Sequence, residues 1–149
     1  MKPAPRQRES SLGNRQLLAD ASYGSTLQHV TFAGAALTSV SLPDLLWIDR
    51  CSFVGADMRQ ATLDGAHFKF CDLRDADLRG ASLRGVTFCG CDLRGADLRA
   101  VDLRYATFGR VNTGDDSGRN LLTGARLDPG ALDLAQMEPE AIIDATVRR

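Results

Sequence analysis

The residues of this chain with the most chemistry to offer are its four cysteines, Cys51, Cys71, Cys89 and Cys91. Thiols can pair as disulfides, hold a soft metal or attack an electrophile as thiolates. A disulfide framework suits a small secreted chain, but Met1 to Ser11 is polar and Pro-containing and does not read as a secretory signal. Reduced thiols in a cytoplasmic setting are therefore expected. The two histidines, His29 and His67, stand in no metal or nucleophile motif, and the chain shows neither a phosphate-binding loop nor a nucleophile elbow. No catalytic residue, cofactor or metal site is read from the sequence.

Cys51, Cys71 and Cys91 are spaced by twenty residues, and that interval belongs to the whole chain. From Ala56 the sequence runs Ala-Asp-Met-Arg-Gln, Ala-Thr-Leu-Asp-Gly, Ala-His-Phe-Lys-Phe, Cys-Asp-Leu-Arg-Asp, Ala-Asp-Leu-Arg-Gly. Large apolar centres recur every five residues at Phe53, Met58, Leu63, Phe68, Leu73, Leu78, Leu83, Phe88, Leu93, Leu98, Leu103 and Phe108. A small apolar partner precedes each by two, including Cys51, Cys71 and Cys91.

A step of five turns an α-helix's apolar side by about 140°, and a strand's alternation cannot survive it. What fits is a short extended piece with partner and centre inward, then a turn of about a right angle. Four pieces close a coil of twenty residues, and coils stack at about 4.8 Å. Centres twenty apart should then match, and Phe68, Phe88 and Phe108 do, as do Leu63, Leu83 and Leu103. The three cysteines fall in one such column, which makes them small core residues lacking convergent metal geometry. Cys89 follows a centre and should face outward near Lys69, a cation that could lower its pKa.

Upstream, units run from Ser25-Thr26-Leu27 to Leu45-Leu46-Trp47. A six-residue step between Trp47 and Phe53 places one extra residue near Asp49 or Arg50 and puts Trp47 in the Phe68 column. Leu46, Ile48, Phe70 and Cys89 are then expected on a less charged outer side, a candidate docking patch. Arg110 to Asn120 reads as a surface loop. After Leu127, Asp128-Pro129-Gly130 resembles a helix start. A short helical cap is favoured there over a last degenerate coil through Leu132, Met137, Ile142 and Val147. The organisation is thus 1–24 as tail and cap, with Met1 to Gly13 disordered, 25–127 as solenoid and 128–149 as C-terminal cap.

Charge is balanced, with 18 Lys plus Arg against 19 Asp plus Glu. Outward columns pair Asp57, Asp77 and Asp97 with Arg59, Arg79 and Arg99, a second candidate interaction surface. Interleaved signs disfavour direct nucleic-acid binding. No apolar run is long enough to span a bilayer.

The motif Ala76-Asp77-Leu78-Arg79-Gly80 and its many near copies resemble the pentapeptide-repeat family over Ser25 to Leu127. That resemblance implies an all-β solenoid, a right-handed quadrilateral parallel β-helix, often dimeric through a C-terminal segment. Its best understood members imitate duplex DNA, bind DNA gyrase or topoisomerase IV, and confer resistance to quinolone antibiotics. The expected function is a non-catalytic protein-interaction module, with a type II topoisomerase as its most specific partner. The alternative is an assembly scaffold unrelated to topoisomerases. The balanced Asp and Arg columns depart from the acidic surface that a DNA mimic needs.

Overall fold

The computed structural model describes residues 15–18 and 20–143. The expectations for Met1 to Gly13 and for Val147 lie outside the described residues. Short strands follow one another as β1 (Thr26–Gln28), β2 (Trp47–Asp49), β3 (His67–Lys69), β4 (Thr87–Cys89), β5 (Asp97–Leu98), β6 (Thr107–Gly109), β7 (Asn120–Leu121), β8 (Arg126–Leu127), β9 (Gln136–Met137) and β10 (Ile142–Ile143). All pairings are parallel, so the chain is a parallel β-solenoid. Side one is the sheet β1-β2-β3-β4-β6-β9, whose inner column is Leu27, Ile48, Phe68, Phe88, Phe108 and Met137. Bridges such as Ser52↔Asp72↔Asp92, Asp57↔Asp77↔Asp97 and Thr62↔Ser82↔Asp102 build sides two, three and four at the same spacing.

The period of five explains these elements. Each unit has a buried partner, a half-exposed residue, a buried centre and a two-residue corner whose second residue has positive φ. Glycine fills that corner at Gly65, Gly80 and Gly85, where a β-carbon would be strained. The corner N–H donates to the next coil, as Gly65 does to Arg84 O at 2.9 Å. Inside, Phe68, Phe88 and Phe108 stack at 5.4 and 5.3 Å between ring centres. Phe53, Leu63, Leu73, Leu78, Leu83, Leu93, Leu98 and Leu103 are buried with them.

The first coil differs from expectation. Ile48, 1% exposed, stands in the Phe68 column, and Trp47, 47% exposed, points out above Thr26 and below His67. Leu46 is buried as well. The reason is the place of the extra residue: Ser41 aligns with Thr62, but Trp47 aligns with His67, so the insertion lies between them. Pro43 is the residue best suited to bulge there, because it has no N–H to give the ladder.

Among the described residues the C-terminal helical cap is also absent. Asp128 spends its carboxylate on the Ala100 N–H at 2.7 Å instead of capping a helix. Single turns follow at Ala131 and Asp133, and then Gln136 N donates to Ala106 O and Glu138 N to Phe108 O. An open parallel edge offers backbone partners that a short isolated helix would forfeit, so the segment continues the ladder. At the other end the helical residues 15–18 lay a fully buried Leu18 on the core.

The insertion after Arg110 returns to the core earlier than the sequence suggests. Asn120 is the last residue expected in the surface loop, yet it is wholly buried. It occupies the column of Cys51, Cys71 and Cys91, with Leu121 opposite Asp92. Its side chain accepts from Cys91 N at 2.9 Å and donates to Phe88 O, Gly109 O and Ala141 O at 3.0, 3.0 and 3.1 Å.

Candidate functional site

The outer surface is built from the half-exposed residue and the first corner residue of each unit. Where these are Asp and Arg, they close on each other. In Asp77 and Arg79, Nε meets Oδ1 at 2.9 Å and Nη2 meets Oδ2 at 2.7 Å, while the Arg79 N–H caps the same carboxylate at 3.2 Å. Asp57–Arg59, Asp72–Arg74, Asp92–Arg94, Asp97–Arg99 and Asp102–Arg104 repeat the fork. On side three Arg59 and Arg79 also reach the next coil, Arg59 to Asp77 at 4.0 Å and Arg79 to Asp97 at 3.8 Å. The arginine hydrogen bonds hold Asp57, Asp72, Asp77 and Asp97 below the ordinary carboxylate range and take Asp102 to about 2. A carboxylate forked by its own guanidinium presents little free negative charge to a partner.

Side one is different in kind. Its outward columns read Thr26, Trp47, His67, Thr87, Thr107, Gln136 and Gln28, Asp49, Lys69, Cys89, Gly109. The Trp47 indole lies flat on the His67 imidazole, 4.1 Å between centres and 10° between planes. Desolvation by the covering ring and sheet lowers the His67 pKa. On the corner toward side two, Phe70 has φ 52 and lies under the Arg50 guanidinium at 4.8 Å, with Lys69 Nζ at 5.7 Å from the ring. A β-carbon on Gly90, one coil up, would stand 2.7 Å from the Phe70 ring, so the absence of a side chain there makes room for it.

The cysteines offer no reactive centre. Cys51, Cys71 and Cys91 donate Sγ–H to Leu27 O, Ile48 O and Phe68 O of the coil below. Burial pushes Cys51 up to about 11 and holds Cys91 well above the ordinary thiol range. Cys89 is half-buried, and its burial, then the Glu138 carboxylate, raise its pKa; the opposing effect of Lys69 is smaller. The expected activation by Lys69 is thereby reversed. Among the described residues no three His, Cys, Asp or Glu side chains converge to hold a metal, and no helix is long and apolar enough to cross a membrane.

The sequence grouping of Ile48 with Phe70 and Cys89 does not hold in space, because Ile48 is inside. Phe70 and Cys89 do share side one or its corner, and Asp57, Asp77 and Asp97 share side three with Arg59, Arg79 and Arg99. Trp47 is the surface residue that sequence reasoning missed. The loop is held by two glutamates: Arg110 and Arg119 meet Glu140 Oε2 at 2.8 and 3.0 Å, and Arg110 N meets Glu138 at 3.0 Å.

A four-sided parallel solenoid with a small-x-large repeat defines the class of protein. The pentapeptide-repeat family profile matches residues 49–80 and 81–112 with eight copies, so this stretch of the chain is built of pentapeptide repeats. No curated protein sequence matches it. Among solved structures, a trypsin-treated form of QnrB1, a plasmid-mediated fluoroquinolone resistance protein, aligns at 19% identity over 85% of this chain and 83% of that one, with TM-score 0.50. Rfr23 from the cyanobacterium Cyanothece 51142 aligns at 19% over 85% of each chain, TM-score 0.51. HetL of Nostoc sp. strain PCC 7120, involved in heterocyst differentiation regulation, aligns at 22% over 85% of this chain and 62% of that one, TM-score 0.50. At these identities the likeness is one of fold.

Proposed function

We infer that the protein is a non-catalytic interaction module that binds a protein partner on side one, at the corner of Arg50, Lys69 and Phe70. The observation that carries this is the self-neutralisation of the Asp columns. Forked by arginines, they suit neither phosphate binding nor imitation of a phosphate rail, which leaves side one, outside those columns, although Arg50 there is itself paired with Asp49 at 2.8 Å. There a rigid ladder offers an aromatic edge, a stacked indole and the Lys69 cation. The matching partner segment is an apolar residue beside a carboxylate.

Modulation of a type II topoisomerase is the second reading, favoured by the fold shared with a fluoroquinolone resistance protein and opposed by the paired aspartates. A gyrase supercoiling assay with quinolone present separates the two. Unchanged supercoiling up to micromolar protein supports the scaffold reading, and restored supercoiling overturns it in favour of topoisomerase protection. In cells, a photo-crosslinking residue at position 69 should trap one defined protein that the same residue at position 79 does not; equal capture at both sites counts against side one.

A further inference from the structure

Side one carries a groove as well as an edge. Two columns of outward side chains run along it, Thr26, Trp47 and His67 on one bank and Gln28, Asp49 and Lys69 on the other. Ile48 is the floor, and the space between the banks is about 200 Å³. That is below the roughly 300–1,000 Å³ of a site for a drug-sized ligand, and it suits a single large side chain. The N–H and C=O groups of β2 are spent on β1 and β3, so whatever lies over the groove is recognised through side chains and not by strand pairing.

The two banks differ in kind. Trp47 and His67 stand ring against ring, 4.1 Å apart, and make one apolar wall. The facing bank is polar, and its capacity changes along the axis. Gln28 gives its amide N–H to Asp49 Oδ2 at 3.3 Å, which leaves its carbonyl oxygen as an acceptor. Asp49 also takes Arg50 Nη1 at 2.8 and 2.9 Å, so its charge is met within the chain. Lys69 is different. Its ammonium makes no ion pair or hydrogen bond among the described residues, only a contact with the Phe70 ring at 5.7 Å.

One end of the groove therefore offers an acceptor and the other an uncompensated cation, beside one apolar wall. An aliphatic occupant would strip water from the Gln28 carbonyl and return no hydrogen bond. A guanidinium could lie on the indole, but it would meet Lys69 as a like charge, with Asp49 already neutralised by Arg50. A tyrosine or tryptophan satisfies both banks: its ring packs on Trp47 and His67, and its O–H or N–H donates to Gln28. A carboxylate next to that ring meets Lys69.

We propose that this groove is the anchor pocket of the partner, taking one tyrosine or tryptophan of a partner protein and setting the neighbouring carboxylate on Lys69. It rests on the partner site proposed above. It also orders the contacts along the axis, with the ring at the level of Trp47 and the carboxylate one coil step, about 4.8 Å, beyond it. The ladder presents the pocket preformed, so little ordering is needed on this side of the contact.

Random peptides displayed on phage and panned against the full chain test the chemistry, and Trp47, the sole tryptophan, reads it directly. The enriched peptides should pair a tyrosine or tryptophan with an aspartate or glutamate. A synthetic tyrosine peptide from that set should shift the Trp47 emission on binding. Lys69→Glu should weaken it at least tenfold, and exchanging the peptide's carboxylate for lysine should restore binding to that variant. Replacing the peptide's tyrosine by phenylalanine should weaken binding about five- to tenfold, through the lost donor. Arg79→Ala, on side three, should bind as the wild type does, and circular dichroism establishes that both variants are folded. Peptides that pair the aromatic with a basic residue, leave Trp47 emission unchanged or ignore Lys69→Glu overturn the proposal, as does a library that yields no binder. A partner trapped in cells at position 69 would then leave the partner site standing without this anchor, whereas equal capture at positions 69 and 79 removes both.

Discussion

Asn120 stands one coil above Cys91 and donates its amide to Phe88 O at 3.0 Å, as Cys91 Sγ donates to Phe68 O at 3.3 Å one coil lower. The slot thus needs a small buried donor toward the preceding coil. Asn120 adds two further donations and one acceptance, binding the coil before the loop, the loop's own start and the last coil into one network. A buried network of this kind is costly to leave half made.

Asn120→Ala should therefore destabilise the fold by about 2–4 kcal/mol, because it strands the Cys91 N–H and removes the side-chain donor from Phe88 O and Gly109 O, while Ala141 O keeps the backbone N–H of residue 120. Asn120→Cys should recover part of the loss, through the donor that the lower coils use. Denaturant melts of the two variants check both, and equal losses would mean that cavity volume, not hydrogen bonding, sets the cost.

Inside and outside on the first coil are separated by one residue. Ile48→Ala should cost about 2–4 kcal/mol as a buried truncation beneath Phe68. Trp47→Ala should cost much less, since it removes a half-exposed ring from a stack. The opposite order in thermal melts would restore Trp47 to the core.

The ring column and the charge ladder predict contrasting sensitivities. Phe88→Ala should cost about 3–5 kcal/mol, as it opens the stack between Phe68 and Phe108. Arg79→Ala should leave the melting temperature nearly unchanged, because its pair is exposed and screened. Chemical denaturation of both variants side by side is the test.

Trp47 is the sole tryptophan of the chain, so its fluorescence reports on His67. The folded His67 pKa lies below its ordinary 6.5. Its neutral form is favoured by folding, so its stabilising contribution is complete above about pH 6.5 and is lost as pH falls through the lowered folded value. Emission should change with a midpoint below 6.5 and become flat in His67→Gln. A midpoint above 6.5 would contradict the burial of the imidazole under the indole.

Thiol reactivity follows burial. In the native protein a thiol-exchange dye should react with Cys89 alone, slowly and faster as pH rises toward its raised pKa, and with all four thiols after unfolding. Rapid native modification at neutral pH would reinstate Cys89 as an activated nucleophile.

Most of the solenoid was legible because its period is a property of side-chain size alone. The twenty-residue column of Phe68, Phe88 and Phe108 appears in the structure residue for residue. Two of the errors lie where residues are added. Counting back in fives from Phe53 reaches Ile48 and Leu46, not Trp47, and counting back from Leu127 reaches Leu122 and Asn120. Reading forward through an insertion loses the phase, while reading backward from the next clear unit keeps it. The C-terminus misled for another reason: Asp128-Pro129-Gly130 is locally a helix start, and only the tertiary offer of Ala106 O and Phe108 O makes it a strand. The Trp47–His67 stack and the Glu140 clasp on Arg110 and Arg119 arise between coils, and no local spacing announces them.

The Asp–Arg fork is complete within five residues, and this has a bearing on how such a molecule changes length. Excising Cys71 to Gly90 would join Phe70 to Cys91, and Cys-Asp-Leu-Arg would follow in either case. No fork would lose its mate, and the net charge of the excised stretch would leave with it. The chain can thus be lengthened or shortened in whole coils, each about 4.8 Å of reach, with little retuning of what remains: it is a ruler whose graduations are self-contained.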